Sequence, residues 1–595
     1  MINLKPPCQT LALLRRARNF HLIRFYYNDS KYAKPPSVKP IHVKSEKFSD
    51  RIAIIDKNGA YKYGTLLYNT HRLVDKILGT LNFEYNEFRH QTICTIGPND
   101  SFFVISQWAC HILESMHVPL YSQHPVSELR YFIENSKAKV VITTPEFTDK
   151  IESIAQELKI AVVEVDMSDN LPGNYEYMKN NLREVLRNHT KRNRLHYQLA
   201  LANKFQKRDC LMLYTSGTTG RPKGVVHTFG TLDTCIKDMG YVWKWNRDDV
   251  ILHSLPLHHY HGIVNCLMTP LNFGACCVMM PRFNPAETWA YFLGKKKLNE
   301  SIKRINIFMG VPTMYVKLIE YYENVVGKGR RGRRLAEKIK RICQNEIRLM
   351  CSGSASLPSS VFEKWEEITG HRLLERYGMT ESGMALTNPY NPISSRTPKF
   401  VGEPFPSVDV AVVQHKDGES DEFLLEVCKG RYRIKPKTEP VEGELYVYGN
   451  NVFKRYWENE EATAEAFTKE GWFKTGDIVS YENRKFKMVG RSSVDIIKCQ
   501  SFKIGALDIE GKLLNHENIR EVAVLGVPDN VQGEKVACLI ALKSQDKKLT
   551  LEELKDWCRD KMPHYHTPTE LLIVDSIPRN AMGKVNKKEL IKMFL

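Results

Sequence analysis

Short β-branched runs separated by longer stretches of helical spacing recur from about residue 50 onward, and this alternation constrains the fold more than any other feature. KVVITT (139–144), AVVEVD (161–166) and CLMLYTSG (210–217) are examples. Strands flanked by helical sequence pack most readily as a largely parallel sheet with helices on its faces, so an α/β domain is expected. At 595 residues the chain exceeds what one core supports, which implies two or more domains. Near Arg491 the pattern changes to a shorter set of helices and strands (ENIREVAVLGVPDNVQGEKVACLIALK, then LTLEELKDWCRDKM), ending on PRNAMGKVNKKELIKMF. The expectation is a large multi-sheet domain over 45–490 and a small α+β domain over 491–595, joined by a hinge. Two stretches read as irregular. GKGRRGRR (327–334) reads as a solvated basic loop leading into the helix LAEKIKRICQ, and the polar segment 415–443 as a surface excursion.

The net charge of +18 favours an anionic partner: a nucleotide, coenzyme A, nucleic acid or a membrane surface. No aromatic residues interleave with the basic run at 327–334, so no nucleic-acid partner is expected. No apolar stretch reaches the length of a membrane span. The fourteen cysteines show no CxxC pair and no His/Cys cluster at metal spacing, which points to reduced thiols and no zinc site. Cys276 and Cys277 lie in an apolar run and read as core. The first 28 residues contain no Asp or Glu, and carry Lys5, Arg15, Arg16, Arg18 and Arg24 among Leu, Ile and Phe at helical spacing. That is the pattern of a mitochondrial transit peptide, assigned to 1–34, with a disordered basic tail as the alternative. Oligomeric state is not legible.

Residues 214–224 read YTSGTTGRPKG. Glycines and small hydroxyl residues follow a strand and end in a lysine, so backbone N–H groups can turn inward around a polyphosphate. A Walker A loop requires G-x-x-x-x-G-K-[ST]; here Pro222 precedes Lys223 and Gly224 follows it, so that reading fails on spacing.

YTSGTTGRPKG resembles the nucleotide loop of the adenylate-forming superfamily, which includes the acyl-CoA synthetases. Seven further segments resemble that superfamily's signatures in the same order: LPLHHYHG (255–262), SGSASLP (352–358), RYGMTE (376–381), GELYVYGNNVFKRYW (443–457), GWFKTGD (471–477), GRSSVDIIK (490–498) and PRNAMGK (578–584). The resemblance implies ATP, Mg²⁺ and coenzyme A as cofactor and co-substrates. It implies that Thr215, Ser216, Gly217, Thr218, Thr219, Gly220 and Lys223 hold the ATP phosphates. Thr380 binds phosphate, and Glu381 holds the metal, a hard cation suited to carboxylate and phosphate oxygens. Tyr377 stacks on adenine, Gly353, Ser354 and Ala355 line its edge, and Asp477 and Arg491 take the ribose hydroxyls. Lys584 reaches the reacting carboxylate and α-phosphate, and joins Thr380, Glu381 and His259 in the catalytic set. Lys498, Ser501 and Phe502 form the loop on the coenzyme A side. There the family usually carries K-x-G-G-[FY], whereas KCQSFKI (498–504) places Gln500 and Ser501 at the glycines; Ser disfavours positive φ. Ser493 stands at the hinge position, where Asp or Lys is commoner.

Arg376 sets the acid. Superfamily members that take fatty or aromatic acids usually have glycine there, because the acyl chain passes it. A buried guanidinium needs an anion, supplied either by Glu375 beside it or by a second carboxylate on the substrate, held in a bidentate fork. ERYGMTESGM, with MMPRFNPAETW and INIFMGVPTMYVKLIEYY, resembles the malonyl-CoA synthetases, including their mitochondrial animal form. The expected partners are therefore a small dicarboxylate (malonate or methylmalonate), ATP and coenzyme A, with Ser352 or Ser354, His259 and His261 near the distal carboxylate. The alternatives are a ligase for another short or medium acid, or an acyl-adenylate-binding protein with impaired thioester formation.

Overall fold

The computed structural model describes residues 38–83, 88–170, 205–215, 221–326, 329–415, 421–428, 430–491, 495–499, 502–529, 533–544, 548–579 and 585–595. The transit-peptide assignment at 1–34, Ser216 to Gly220, Ser493, Gln500, Ser501 and Lys584 lie outside the described residues.

The runs singled out in the sequence become the strands Ala138–Thr143, Ala161–Glu164 and Asp209–Thr215 of a seven-stranded sheet. A second sheet traces a path of fifteen strands. It is not largely parallel. Strands Val250–His253, Cys276–Met279, Ile307–Gly310, Leu349–Ser352 and Leu374–Met379 pair in parallel, and from Leu374–Met379 onward the sheet continues antiparallel. The segment 415–443 belongs to that antiparallel part. Glu422–Cys428 and Arg431–Ile434 pair there, so the described part of the surface excursion is instead a sheet edge, with Arg431 and Arg433 exposed and Glu426 buried, accepting from Arg433 (3.1 Å). Alternation with one solvated face hides such strands in a polar sequence.

Local sequence explains where helices begin. Asp100 accepts the Phe102 N–H (3.0 Å) to start the buried helix Ser101–Ile112, which is apolar on nearly all sides. Thr228 and Thr231 form a reciprocal capping box (both 3.1 Å) at the head of Phe229–Val242. The basic run at 330–334 is helical, not a loop: Arg330–Glu346 is one helix, pinned by buried Ile339 and Cys343. Tertiary packing overrides the weak local preference there. Cys276 and Cys277 are core residues, and the thirteen described cysteines are free thiols.

A smaller C-terminal domain holds its own sheet of Ile496–Cys499, Phe502–Gly505, Ile519–Asp529, Gly533–Leu542 and Glu570–Ile573. Helices Ala506–Leu513 and Leu551–Cys558 close one face through Ile509, Leu513 and Leu554, and Ile577 and Leu590 cover the other. No described helix is long and apolar enough to cross a membrane.

Candidate active site

The parallel strands Ile307–Gly310 and Leu349–Ser352 end level with Glu375, Leu374–Met379 runs on past them, and a cleft opens at this edge. Ligands in open α/β sheets bind at this edge. The chain leaves Leu374–Met379 through a tight turn, Thr380 to Ser382, and returns as Gly383–Thr387. Gly383 makes the turn possible: its φ is +59°, and a Cβ there would press on Cys235 and Tyr260. The turn presents Thr380 and Glu381 to the cleft.

Around this turn several expected residues come together. Asp209–Thr215 and Lys223–Thr228 pair antiparallel with Thr215 opposite Lys223, so the phosphate loop is the connection between two strands. Lys223 Nζ lies 5.2 Å from the centre of the Tyr456 ring, and the Tyr456 hydroxyl donates to Glu381 Oε1 (3.2 Å). His227 Nε2 bonds the Thr380 carbonyl (2.7 Å); burial pushes this imidazole down to about 4, so it is a neutral donor. Tyr456 and His227 carried no assignment from sequence, although Tyr456 lies inside a quoted segment.

A second group gathers around Asp477. The Tyr377 hydroxyl donates to Asp477 Oδ2 (2.6 Å), and Arg491 Nε donates to Asp477 Oδ1 (2.9 Å). Strand register sets this pair, because Asp477 stands opposite Arg491. Burial works against the Arg491 charge, but Asp477 offsets it and holds the guanidinium above its ordinary value. The Arg491 N–H also bonds Asp495 Oδ2 (3.0 Å), and Asp495 in turn meets Lys587 (2.6 Å). Lys587 is buried between Asp495 and Glu510 (2.7 Å). None of these three was assigned from sequence; they converge from positions up to 92 residues apart.

Arg376 is buried at 4 % exposure on the Leu374–Met379 strand. Glu375 is not its counter-ion. Neighbouring strand residues project to opposite faces, and Glu375 Oε1 accepts the Lys399 N–H instead (3.1 Å). Burial pushes the Glu375 carboxyl up to about 8, so it is mostly uncharged at neutral pH. Among the described residues no side chain or carbonyl accepts from Arg376 Nε or Nη2, and no carboxylate pairs with it. Gly353 lies flush against the guanidinium, and a Cβ at that position would fall inside it. Parallel register explains this: Ser352 pairs with Glu375, which brings Gly353 beside Arg376. Its observed neighbour is thus the guanidinium.

Among the described residues, other buried polar atoms of the same cleft also lack a protein partner, Ser352 Oγ and His261 Nε2 among them. His261 Nδ1 meets Ser354 Oγ (3.1 Å), and Ser354 sits in the left-handed region at φ +69°, a strain typical of sites that fix a side chain. Burial, then the Arg376 charge, pushes His261 well below its ordinary range, so its ring is neutral. His261 opens a π-helix, His261–Met268, a form often found at functional sites. His259 belongs to a different group: its ring is 4.0 Å from His258, which stacks on Tyr121. Ala355 lines the cleft. On the small domain Cys499 stands opposite Phe502 across a two-residue connection; the side chains of Lys498 and Phe502 lie outside the described residues.

Comparison with known proteins agrees with this geometry. The model of the AMP-binding enzyme family matches residues 41–457, and that of the AMP-binding enzyme C-terminal domain matches 508–584. The mitochondrial malonate–CoA ligase ACSF3 of Bos taurus is 40% identical over 558 residues, covering 93% of this chain and 90% of its own. The malonate–CoA ligase of Arabidopsis thaliana is 34% identical over 573 residues, covering 91% and 86%. Among solved structures, ATP-bound MatB from Rhodopseudomonas palustris aligns with a TM-score of 0.75 at 24% identity, covering 94% of this chain and 99% of that one. At that identity the likeness is one of fold.

Proposed function

This chain belongs to the AMP-binding enzyme family and is an AMP-forming acid–CoA ligase, and we propose that its acid is malonate, gripped at the far end by Arg376. The observation that carries the reading is a buried guanidinium without an anion, set in the substrate cleft beside two further unpartnered polar atoms. Leaving such a charge unpaired costs several kcal/mol, roughly 3–5, so an incoming carboxylate is strongly favoured. A fork of two N–H donors accepts one carboxylate, and Ser352 Oγ and neutral His261 complete the ring of donors. Methylmalonate presents the same distal group, and a panel of acids decides between the two.

Two half-reactions follow. A carboxylate oxygen of malonate attacks the α-phosphorus of ATP, forming malonyl-AMP and releasing pyrophosphate. The coenzyme A thiolate then attacks the acyl carbon, forming malonyl-CoA and releasing AMP. The first step brings anions together. Arg376 offsets the distal charge, Lys223 and the loop from Thr215 to Gly220 hold the phosphates, and Lys584 reaches the reacting oxygens. Tyr377 stands against the adenine, and Asp477 and Arg491 take the ribose. Thr380 and Glu381 face the phosphates. A single carboxylate at Glu381 fits Mg²⁺, which takes most of its ligands from water and phosphate; when bound it offsets charge on the leaving pyrophosphate. The small domain from Arg491 supplies Lys584 for the first step and the loop of Lys498, Ser501 and Phe502 for the second. The relatives' names and the acid-free, Arg-rich start of the chain support a mitochondrial location, and within it the matrix is our proposal.

Steady-state kinetics of Arg376→Gly with malonate, acetate and butyrate test the clamp. The apparent KM for malonate rises by about 100-fold or more, while the monocarboxylates lose little. Equal losses for all three acids would overturn the assignment. Following AMP and thioester separately tests the second step: malonate-dependent AMP without thioester would identify an adenylate-binding protein instead.

A further inference from the structure

The helix Arg330–Glu346 carries Arg330, Arg334, Lys338 and Arg341 along one outward stripe about 16 Å long, with Arg331 and Arg333 flanking it. All six are exposed, and among the described residues none makes an ion pair or a side-chain hydrogen bond. Glu337 is the one acid among them, which leaves a local surplus of +5. The arrangement opposes its own helix. Like charges four residues apart repel, and three of the arginines sit in the first turn, where the peptide dipoles are already positive and Gly329 offers no side-chain cap. An extended negative surface relieves both. Leu335 on this helix and Val325 at the end of the preceding one are exposed apolar side chains on the same hairpin.

We propose that this face docks the enzyme on an anionic phospholipid bilayer. Phosphates answer the cations, and the apolar region beneath them answers Leu335 and Val325. Duplex nucleic acid would satisfy only the cations, and a single strand would look for exposed aromatic platforms, which the described part of this hairpin lacks. The apolar face of the helix is spent on the protein core, so the helix lies on the membrane and does not enter it.

Co-sedimentation of the full chain with vesicles at ~0.15 M salt tests this. The vesicles are phosphatidylcholine alone, or phosphatidylcholine with one-third phosphatidylglycerol. Binding is expected only to the anionic vesicles. It falls about tenfold in Arg330→Glu/Arg334→Glu/Lys338→Glu, and is unchanged in Lys435→Glu/Lys437→Glu/Lys469→Glu, which alters net charge equally. Residues before Val38 are common to all variants, so the contrast isolates the stripe. Ligase activity in solution stays at the wild-type level in both triples, which reports folding. If the first triple does not fold, Arg334→Gln/Lys338→Gln carries the test, with about a threefold loss. Equal losses in both triples, no binding at all, or stripe-dependent retention of a 20-base-pair duplex in place of vesicles overturns the proposal.

Discussion

Two arginines in one cleft are treated in opposite ways. Arg491 is clasped by Asp477, which also takes the Tyr377 hydroxyl, and its charge is stabilised before any ligand arrives. Arg376 is more deeply buried, yet the adjacent carboxyl, Glu375, faces away and is mostly uncharged at neutral pH. A paired arginine builds structure; an unpaired one waits for an anion. The contrast separates an arginine already held by the protein from one left open.

The largest way to break the contrast is to remove the waiting charge: the Arg376→Gly loss of malonate affinity given above, about 100-fold. Next is Gly353→Ala. Its Cβ displaces the guanidinium, so malonate KM rises about 10-fold or more while ATP KM changes little. A comparable rise for ATP would place Gly353 on the nucleotide instead. Smaller is the stability effect of Arg376→Met. Replacing an unpaired buried charge with an apolar chain of similar volume stabilises the ligand-free protein by about 1–3 kcal/mol, and malonate, which raises the wild-type Tm, no longer does so. If the variant loses stability without ligand, Arg376 has a partner within the protein. The converse change, Asp477→Asn, costs about 1 kcal/mol after allowing for the partly exposed Arg491, and lowers Tm with no ligand present. An unchanged Tm would mean that the clasp contributes nothing at rest.

The smallest effect is one of pH. Glu375 has a folded value of about 8, raised by burial from an ordinary 4.5. The folded state keeps this proton where the unfolded chain releases it. The stability it contributes is whole below pH 4.5 and is lost as pH rises through about 8. Glu375→Gln therefore flattens the fall in Tm between pH 5 and 8 by about 2 °C. An identical pH slope in the variant would show that Glu375 is ionised at rest, and would restore it as a candidate counter-ion for Arg376.

Much of this was legible in the sequence, because ordered signature segments put Arg376, Tyr377, Asp477 and Arg491 in view. What those segments could not supply is register. The placement of Gly353 against Arg376 needs the pairing of two parallel strands, and the Asp495–Lys587–Glu510 group needs a folded small domain to bring its members together. The edge strands within 415–443 were hidden because a sheet with one wet face reads as polar sequence. The helical arginines at 330–334 were hidden because two buried residues further along, Ile339 and Cys343, decide their conformation.

The contact between Gly353 and Arg376 also orders the steps by which such an enzyme can drift to another acid. While the arginine is in place, any side chain at position 353 must push the guanidinium aside, so glycine is favoured there. Once Arg376 is lost, position 353 is released and can accumulate bulk, and any bulk it gains excludes the arginine's return. On the proposed role of Arg376, dicarboxylate specificity is lost in one substitution and regained in one while position 353 stays glycine, but needs two once that position has gained bulk. The contact acts as a ratchet on the lineage.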